Sequence, residues 1–206
     1  MITYNHSGTP FTNEKLTGLL SFIQEAERLK DQTRSGSTRG GRRESVADHS
    51  LRLALLATVV TQGDTSIDQL KLLKLCLVHD LGEALRGDIP AIAQEASDDR
   101  DARERQDLET LCAPLPVELR NEILDLWQEY SDGSTPEAVV AKGLDKIETM
   151  LQHNLTPENP DIDFAFNLGY GTSQTSRHPV LAQIREQVDR VTAKIADTQK
   201  AKSNSC

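Results

Sequence analysis

Apolar residues recur at three- and four-residue steps along most of the chain, and no stretch alternates at period two, which predicts helices and no sheet. The first helix spans residues 12–30, with Thr12 as its N-cap and Leu16, Leu20, Ile23 and Ala26 on one face. A second covers residues 47–61 with Val46, Leu53, Leu56 and Val60 in register. Asp68 caps a third whose apolar residues include Leu70, Leu73, Cys76, Leu77 and Ala84, and Gly87 before Asp88-Ile89-Pro90 ends it. Pro116 opens a helix to Tyr130 lined by Leu119, Ile123, Leu126 and Trp127, and Thr135-Pro136 opens another with Val140, Leu144, Ile147 and Leu151 inward. The last begins at Pro179, with Val180, Ile184, Val188, Val191 and Ile195 in register. Residues 156–178 lack a clean period, as a lid or binding loop would, and residues 197–206 are polar enough to form a flexible tail. The expectation is one all-α domain over residues 1–206, its core at about 12–196, built from roughly seven to nine helices.

Composition narrows the function classes. Eight aromatic residues leave a core of Leu, Ile, Val and Ala, and a net charge of −9 disfavours a grip on nucleic-acid phosphates. No apolar run is long enough for a membrane span, and the N-terminus has no secretory pattern. Three widely spaced cysteines, Cys76, Cys112 and Cys206, fit a reducing compartment, so a cytoplasmic protein is expected.

Candidate chemistry gathers in three places. In Leu77-Val78-His79-Asp80-Leu81-Gly82-Glu83, a continuing helix would place His79 and Glu83 on one face with Asp80 beside them. A solvated turn and a metal site both fit that word. His49 falls on the apolar stripe of its helix, as a satisfied core histidine or as a second imidazole ligand beside His79. Between them in type is the segment from Arg34 to Arg43, where four arginines and three glycines form either a solvated basic loop or a phosphate clamp. Arg39, Arg42 and Arg43 are expected to be solvated or paired with acids. Asp98 to Arg105 alternates in sign and reads as a solvated helix start.

The order His49, His79-Asp80, Asp145 resembles the HD-domain metal-dependent phosphohydrolases. Four words carry the likeness: Glu44-Ser45-Val46-Ala47-Asp48-His49-Ser50, Leu77 to Ala84, Gly87-Asp88-Ile89-Pro90, and Leu144-Asp145-Lys146-Ile147-Glu148. They are similar to a branch that includes bacterial 5′-deoxynucleotidases and the HD-domain-containing protein 2 group. The likeness runs from about Phe22 to Val188 and implies an HD-domain helical bundle. It implies His49, His79, Asp80 and Asp145 as ligands of one divalent ion (Mn, Co, Mg, Fe or Zn), and Glu83 and Asp88 as catalytic acids. It also implies a substrate-binding set of Arg34, Asp88, Ile89, Pro90 and Ala91. Relatives often carry a tryptophan close after that arginine, whereas this chain has none before Trp127. Asp145 lies beside the apolar stripe of its helix, so periodicity alone would leave it in solvent. The absence of histidine between His79 and His153 favours a single metal.

The activity so implied is hydrolysis of a (deoxy)nucleoside 5′-monophosphate to nucleoside and phosphate. The ion would activate water, Glu83 would handle its proton, and Arg34 would orient the phosphate. Alternatives are hydrolysis of an alarmone or cyclic nucleotide, or nucleotide sensing without turnover. The expected partner is a small-molecule nucleotide, with neither nucleic acid nor membrane. A homodimer is also expected, and the stripes at 116–130 and 180–195 serve either pairing or the core.

Overall fold

The computed structural model describes residues 11–89, 92 and 100–203; Pro90 and Ala91 of the expected substrate set lie outside these. Among the described residues the protein is all-helical apart from one small hairpin, with seven α-helices of ten residues or more, three shorter ones, and a 3-10 turn at Glu27–Lys30 that follows the first helix. The long ones are α1 (Asn13–Ala26), α2 (Val46–Val60), α3 (Gln69–Val78), α5 (Arg100–Cys112), α6 (Val117–Asp132), α7 (Pro136–His153) and α10 (Pro179–Ser203). The short ones are α4 (Glu83–Arg86), α8 (Phe164–Gly169) and α9 (Thr172–Thr175).

Capping chemistry sets several starts. Thr12, Asp68 and Thr135 each accept a hydrogen bond from the backbone N–H three residues on, satisfying a donor the helix cannot. Ser45 and Asp48 form a reciprocal capping box that fixes the first turn of α2, the turn that carries His49.

Helix α7 is the axis of the fold: thirteen of its eighteen residues are buried, and α2, α3, α6, α9 and α10 pack around it. Leu53 and Ala57 of α2, Leu72 and Leu75 of α3, Leu144 and Ile147 of α7 and Leu181 of α10 form the main core. A second cluster, centred on Trp127, Leu108 and Cys112, joins α5 and α6 to the end of α3. Leu119, Ile123, Leu126 and Trp127 of the α6 stripe and Ile184 and Val188 of the α10 stripe face the core.

Several expectations need correction. Residues 31–46 are not a plain loop: β1 (Thr33–Ser37) and β2 (Arg43–Ser45) pair antiparallel, with an irregular register between Thr33 and Ser37. On α1 the expected inward face, Leu16, Leu20 and Ile23, is exposed, and Leu19 and Phe22 make the packing contacts instead. Leu70 and Leu77 of α3 and Val180 and Val191 of α10 likewise face outward. Residues 156–178 include α8, held where the buried Arg185 guanidinium donates to the carbonyls of Asn167, Leu168 and Tyr170, and α9, which packs against α7. The tail expected from residue 197 continues α10 to Ser203, and Gln199 donates to the Ile162 carbonyl.

Candidate metal centre

The helix expected to carry His79, Asp80 and Glu83 together stops early. Helix α3 ends at Val78, and three-residue bonds (Leu81 N–H to Val78 O, Glu83 N–H to Asp80 O) tighten the chain into turns before α4. Gly82 lets α5 approach this turn closely, since a Cβ there would lie 2.6 Å from the Glu104 carbonyl oxygen of α5. The break presents His79 and Asp80 to α2 and α7, and starts a fresh helix at Glu83. Gly87, at φ +85°, then ends α4 with a conformation that L side chains rarely adopt and directs Asp88 back toward the same cavity.

The four sequence-predicted ligands meet. The metal-binding atoms of His49, His79 and Asp145 all lie within 4.8 Å of one another. Asp80 Oδ2 is 3.0 Å from His79 Nε2 and 3.8 Å from His49 Nε2, and Asp145 Oδ1 is 3.2 Å from His49 Nε2. Both Nε2 atoms are buried without a hydrogen-bond partner, which costs free energy unless something fills that role. Two imidazoles and two carboxylates make an N/O donor set suited to a divalent first-row ion. Asp145, which periodicity alone would have left in solvent, is buried.

The outer partners favour the same arrangement. His49 Nδ1 lies 2.5 Å from the fully buried Glu148 carboxylate, and His79 Nδ1 lies 3.0 Å from the Cys76 carbonyl, so each ring can donate there and present Nε2 to the cluster. Tyr130 and Lys146 donate to Asp145 Oδ2 at 2.7 and 2.8 Å and leave Oδ1 facing His49. Burial opposes ionisation of both aspartates. Lys146 and the histidines nevertheless hold Asp145 well below the usual carboxylate range, and His79 and Arg34 do the same for Asp80. Sequence reasoning missed Glu148, Tyr130 and Lys146. The available signal was charged or polar residues at 145, 146, 148 and 149 interleaved with the buried Leu144, Ile147 and Met150.

Above the cluster lies a cavity of about 410 Å³ bordered by Arg34, Glu83, Asp88, Ile89 and Arg100. Glu83 is buried, and burial together with Asp80 and Asp88 pushes its pKa up to about 10 against Arg34. Arg100, expected in a solvated helix start, instead pairs with Glu104 and lies 3.7 Å from Glu83. Asp88 is raised too, chiefly by burial. Arg34 on β1 is largely enclosed, its side chain 11% exposed, and donates to Asp80 Oδ2 at 3.3 Å and to Thr149 Oγ1 at 3.1 Å, with Glu44 at 3.7 Å. Arg42 and Arg43 pair with Asp48 and Asp161 at the surface, as expected of them.

The sequence profile of the HD domain matches residues 26–189 of this chain. The 5′-deoxynucleotidase HDDC2 of Dictyostelium discoideum is 34% identical over 66% of this chain and 76% of its own length. The human 5′-deoxynucleotidase HDDC2 is 33% identical over 71% and 72%. The chain belongs to the HD-domain family. Among solved structures, a predicted metal-dependent phosphohydrolase from Magnetospirillum magnetotacticum MS-1 superimposes with a TM-score of 0.71. It is 26% identical and covers 88% of this HD-domain protein and 97% of its own chain.

Glu148 gives the centre a specific test. Glu148→Gln keeps an acceptor for His49 Nδ1 but removes the charge, and should weaken divalent-metal affinity about tenfold, toward the lower end of the usual range for such partners. Chelator competition reads this directly, and unchanged affinity would mean that Glu148 does not support the centre.

Proposed function

We propose that this metal-dependent phosphohydrolase removes the 5′-phosphate from (deoxy)nucleoside monophosphates. The observation that carries this reading is the pair of partnerless imidazole nitrogens facing two carboxylates at the floor of a cavity that also holds Arg34 and Glu83. The name 5′-deoxynucleotidase borne by the relatives supports the substrate class.

His49, His79, Asp80 and Asp145 hold one divalent ion, which when bound lowers the pKa of water and polarises a phosphoryl oxygen. Arg34 lends positive charge to the phosphate. Its neighbours Asp80, Asp88 and Asp145 keep it charged despite burial, and Thr149 fixes its direction. Glu83 exchanges a proton with the water or the leaving oxygen. Its raised pKa lets the carboxyl hold a proton in this acidic surrounding, and positive charge placed beside it brings that value down toward neutrality. Asp88 and Ile89 border the same cavity as Arg34 and contact the substrate there. Glu83 weighs against a purely sensing role, since binding alone needs no spare proton-exchanging carboxyl beside the ion.

A cytoplasmic setting fits two further observations. Cys76 and Cys112 are buried free thiols, and no helix among the described residues is long and apolar enough to cross a membrane.

The protein acts as a homodimer through the outer face of α2 and α3. These neighbouring helices leave Leu51, Leu55, Val59, Leu70 and Leu77 each 51–68% exposed. Large contiguous apolar patches on soluble proteins commonly mark contact surfaces.

Phosphate release should be measured over a panel of nucleoside monophosphates, alarmone and cyclic nucleotides with added Mn, Co or Mg. Deoxynucleoside monophosphates are expected to be the best substrates. His79→Ala should abolish metal binding and turnover together, and Glu83→Gln should retain metal while losing roughly 10²–10⁴-fold in kcat. Turnover confined to alarmone or cyclic nucleotides would contradict the substrate reading, and loss of metal in Glu83→Gln would contradict its role. For assembly, light scattering should give twice the chain mass, reduced to one chain by Leu55→Glu; a monomeric wild type would contradict the dimer.

A further inference from the structure

Beyond the cluster, β1 lies along α7 in an ordered sequence of contacts. Arg34 reaches Thr149, Ser35 Oγ lies 3.1 Å from His153 Nε2, and the Ser37 carbonyl accepts from Gln152. A regular strand would point Arg34 and Ser35 to opposite faces, but the irregular register of the hairpin allows both to border the cavity. Asp145, Thr149 and His153 are four apart and form one stripe of α7. His153 therefore lies two turns from Asp145, ~12 Å along the axis, at the end of the cavity away from the cluster.

Hydrogen bonding at that end has a direction. His153 is buried, and its hydrogen-bond partners among the described residues are Ser35 and Asn167, whose Nδ2 lies 3.0 Å from His153 Nδ1. Burial pushes the ring down to about 4, so it is neutral and carries a single N–H. An amide nitrogen can only donate, so Nδ1 accepts and Nε2 bears the hydrogen. Nε2–H then donates to Ser35 Oγ, and the Ser35 hydroxyl hydrogen is left to point into the cavity. Phe166, next to Asn167 in sequence and partly exposed, borders the same cavity as a flat apolar surface, with Tyr170 at 6.0 Å between ring centroids. Neutral donors and an aromatic face suit a heterocycle, whereas the cationic groups at the other end suit a phosphate.

We propose that Ser35 is a specificity-determining residue that donates a hydrogen bond to an acceptor atom of the nucleobase, and that the relay Asn167 to His153 to Ser35 sets that direction. This rests on the nucleotide reading of the cavity given above. Asn167→Asp reverses the relay: a carboxylate must accept, the proton moves to Nδ1, and the Ser35 hydroxyl then donates to Nε2 instead of to the base.

The test compares deoxynucleoside 5′-monophosphates with 2-deoxyribose 5-phosphate, which keeps sugar and phosphate but lacks the base. Ser35→Ala should raise KM for the nucleotides about tenfold with little change in kcat, leaving the sugar phosphate unaffected. Asn167→Asp should reproduce that split, and the double variant should be no worse than either single one. Equal effects on nucleotide and sugar phosphate, or effects that multiply in the double variant, would overturn the relay. If Asn167→Asp does not fold, the split in Ser35→Ala decides alone. Wild-type protein inactive on every nucleoside monophosphate would instead overturn the nucleotide reading itself, and this inference with it.

Discussion

The fold depends on keeping two imidazoles and two carboxylates together in a place from which water is largely excluded. Ionisable groups so buried cost several kcal/mol each unless paired or bound to a cation. The surrounding structure offsets part of that cost. Glu148 and the Cys76 carbonyl take the outer nitrogens of the rings, and Tyr130 and Lys146 take one oxygen of Asp145. What stays unpartnered is the inward side, the two Nε2 atoms, and there a divalent ion would complete the balance.

Helix α7 lets one segment serve both the dry core and this polar centre. Leu144 and Ile147 face α2, α3 and α10, while Asp145, Thr149 and His153 form a polar stripe toward the cavity. The hairpin lies on that stripe and is anchored to it, which is why Arg34, fifteen residues before His49 in sequence, lies against the second word of the motif in space. Rigid support of this kind suits phosphoryl chemistry, in which positioning and preorganised charge supply most of the rate.

Much of this was legible because it is local. Thr12, Asp68 and Thr135 announce helix starts through short-range capping bonds, and His49 stands on an apolar stripe that is buried as read. What escaped depends on distant partners. The chain turns after Val78 where Gly82 meets the backbone of α5, and α8 is held by an arginine of α10. The outward face of α1 escaped for a related reason: the close contact of Gly18 with the Pro114 carbonyl orients that helix, and no periodicity records it. Asp145 was found through its motif and not its spacing, since a polar stripe flanking an apolar one looks the same whether it meets solvent or a buried cation.

The most direct measurement is a crystal grown with Mn²⁺ and examined by anomalous scattering. One peak per chain is expected, bonded to His49 Nε2, His79 Nε2 and carboxylate oxygens of Asp80 and Asp145 at distances near 2.0–2.2 Å. A peak elsewhere, or none at this cluster with the ion in excess, would contradict a metal-centred hydrolase.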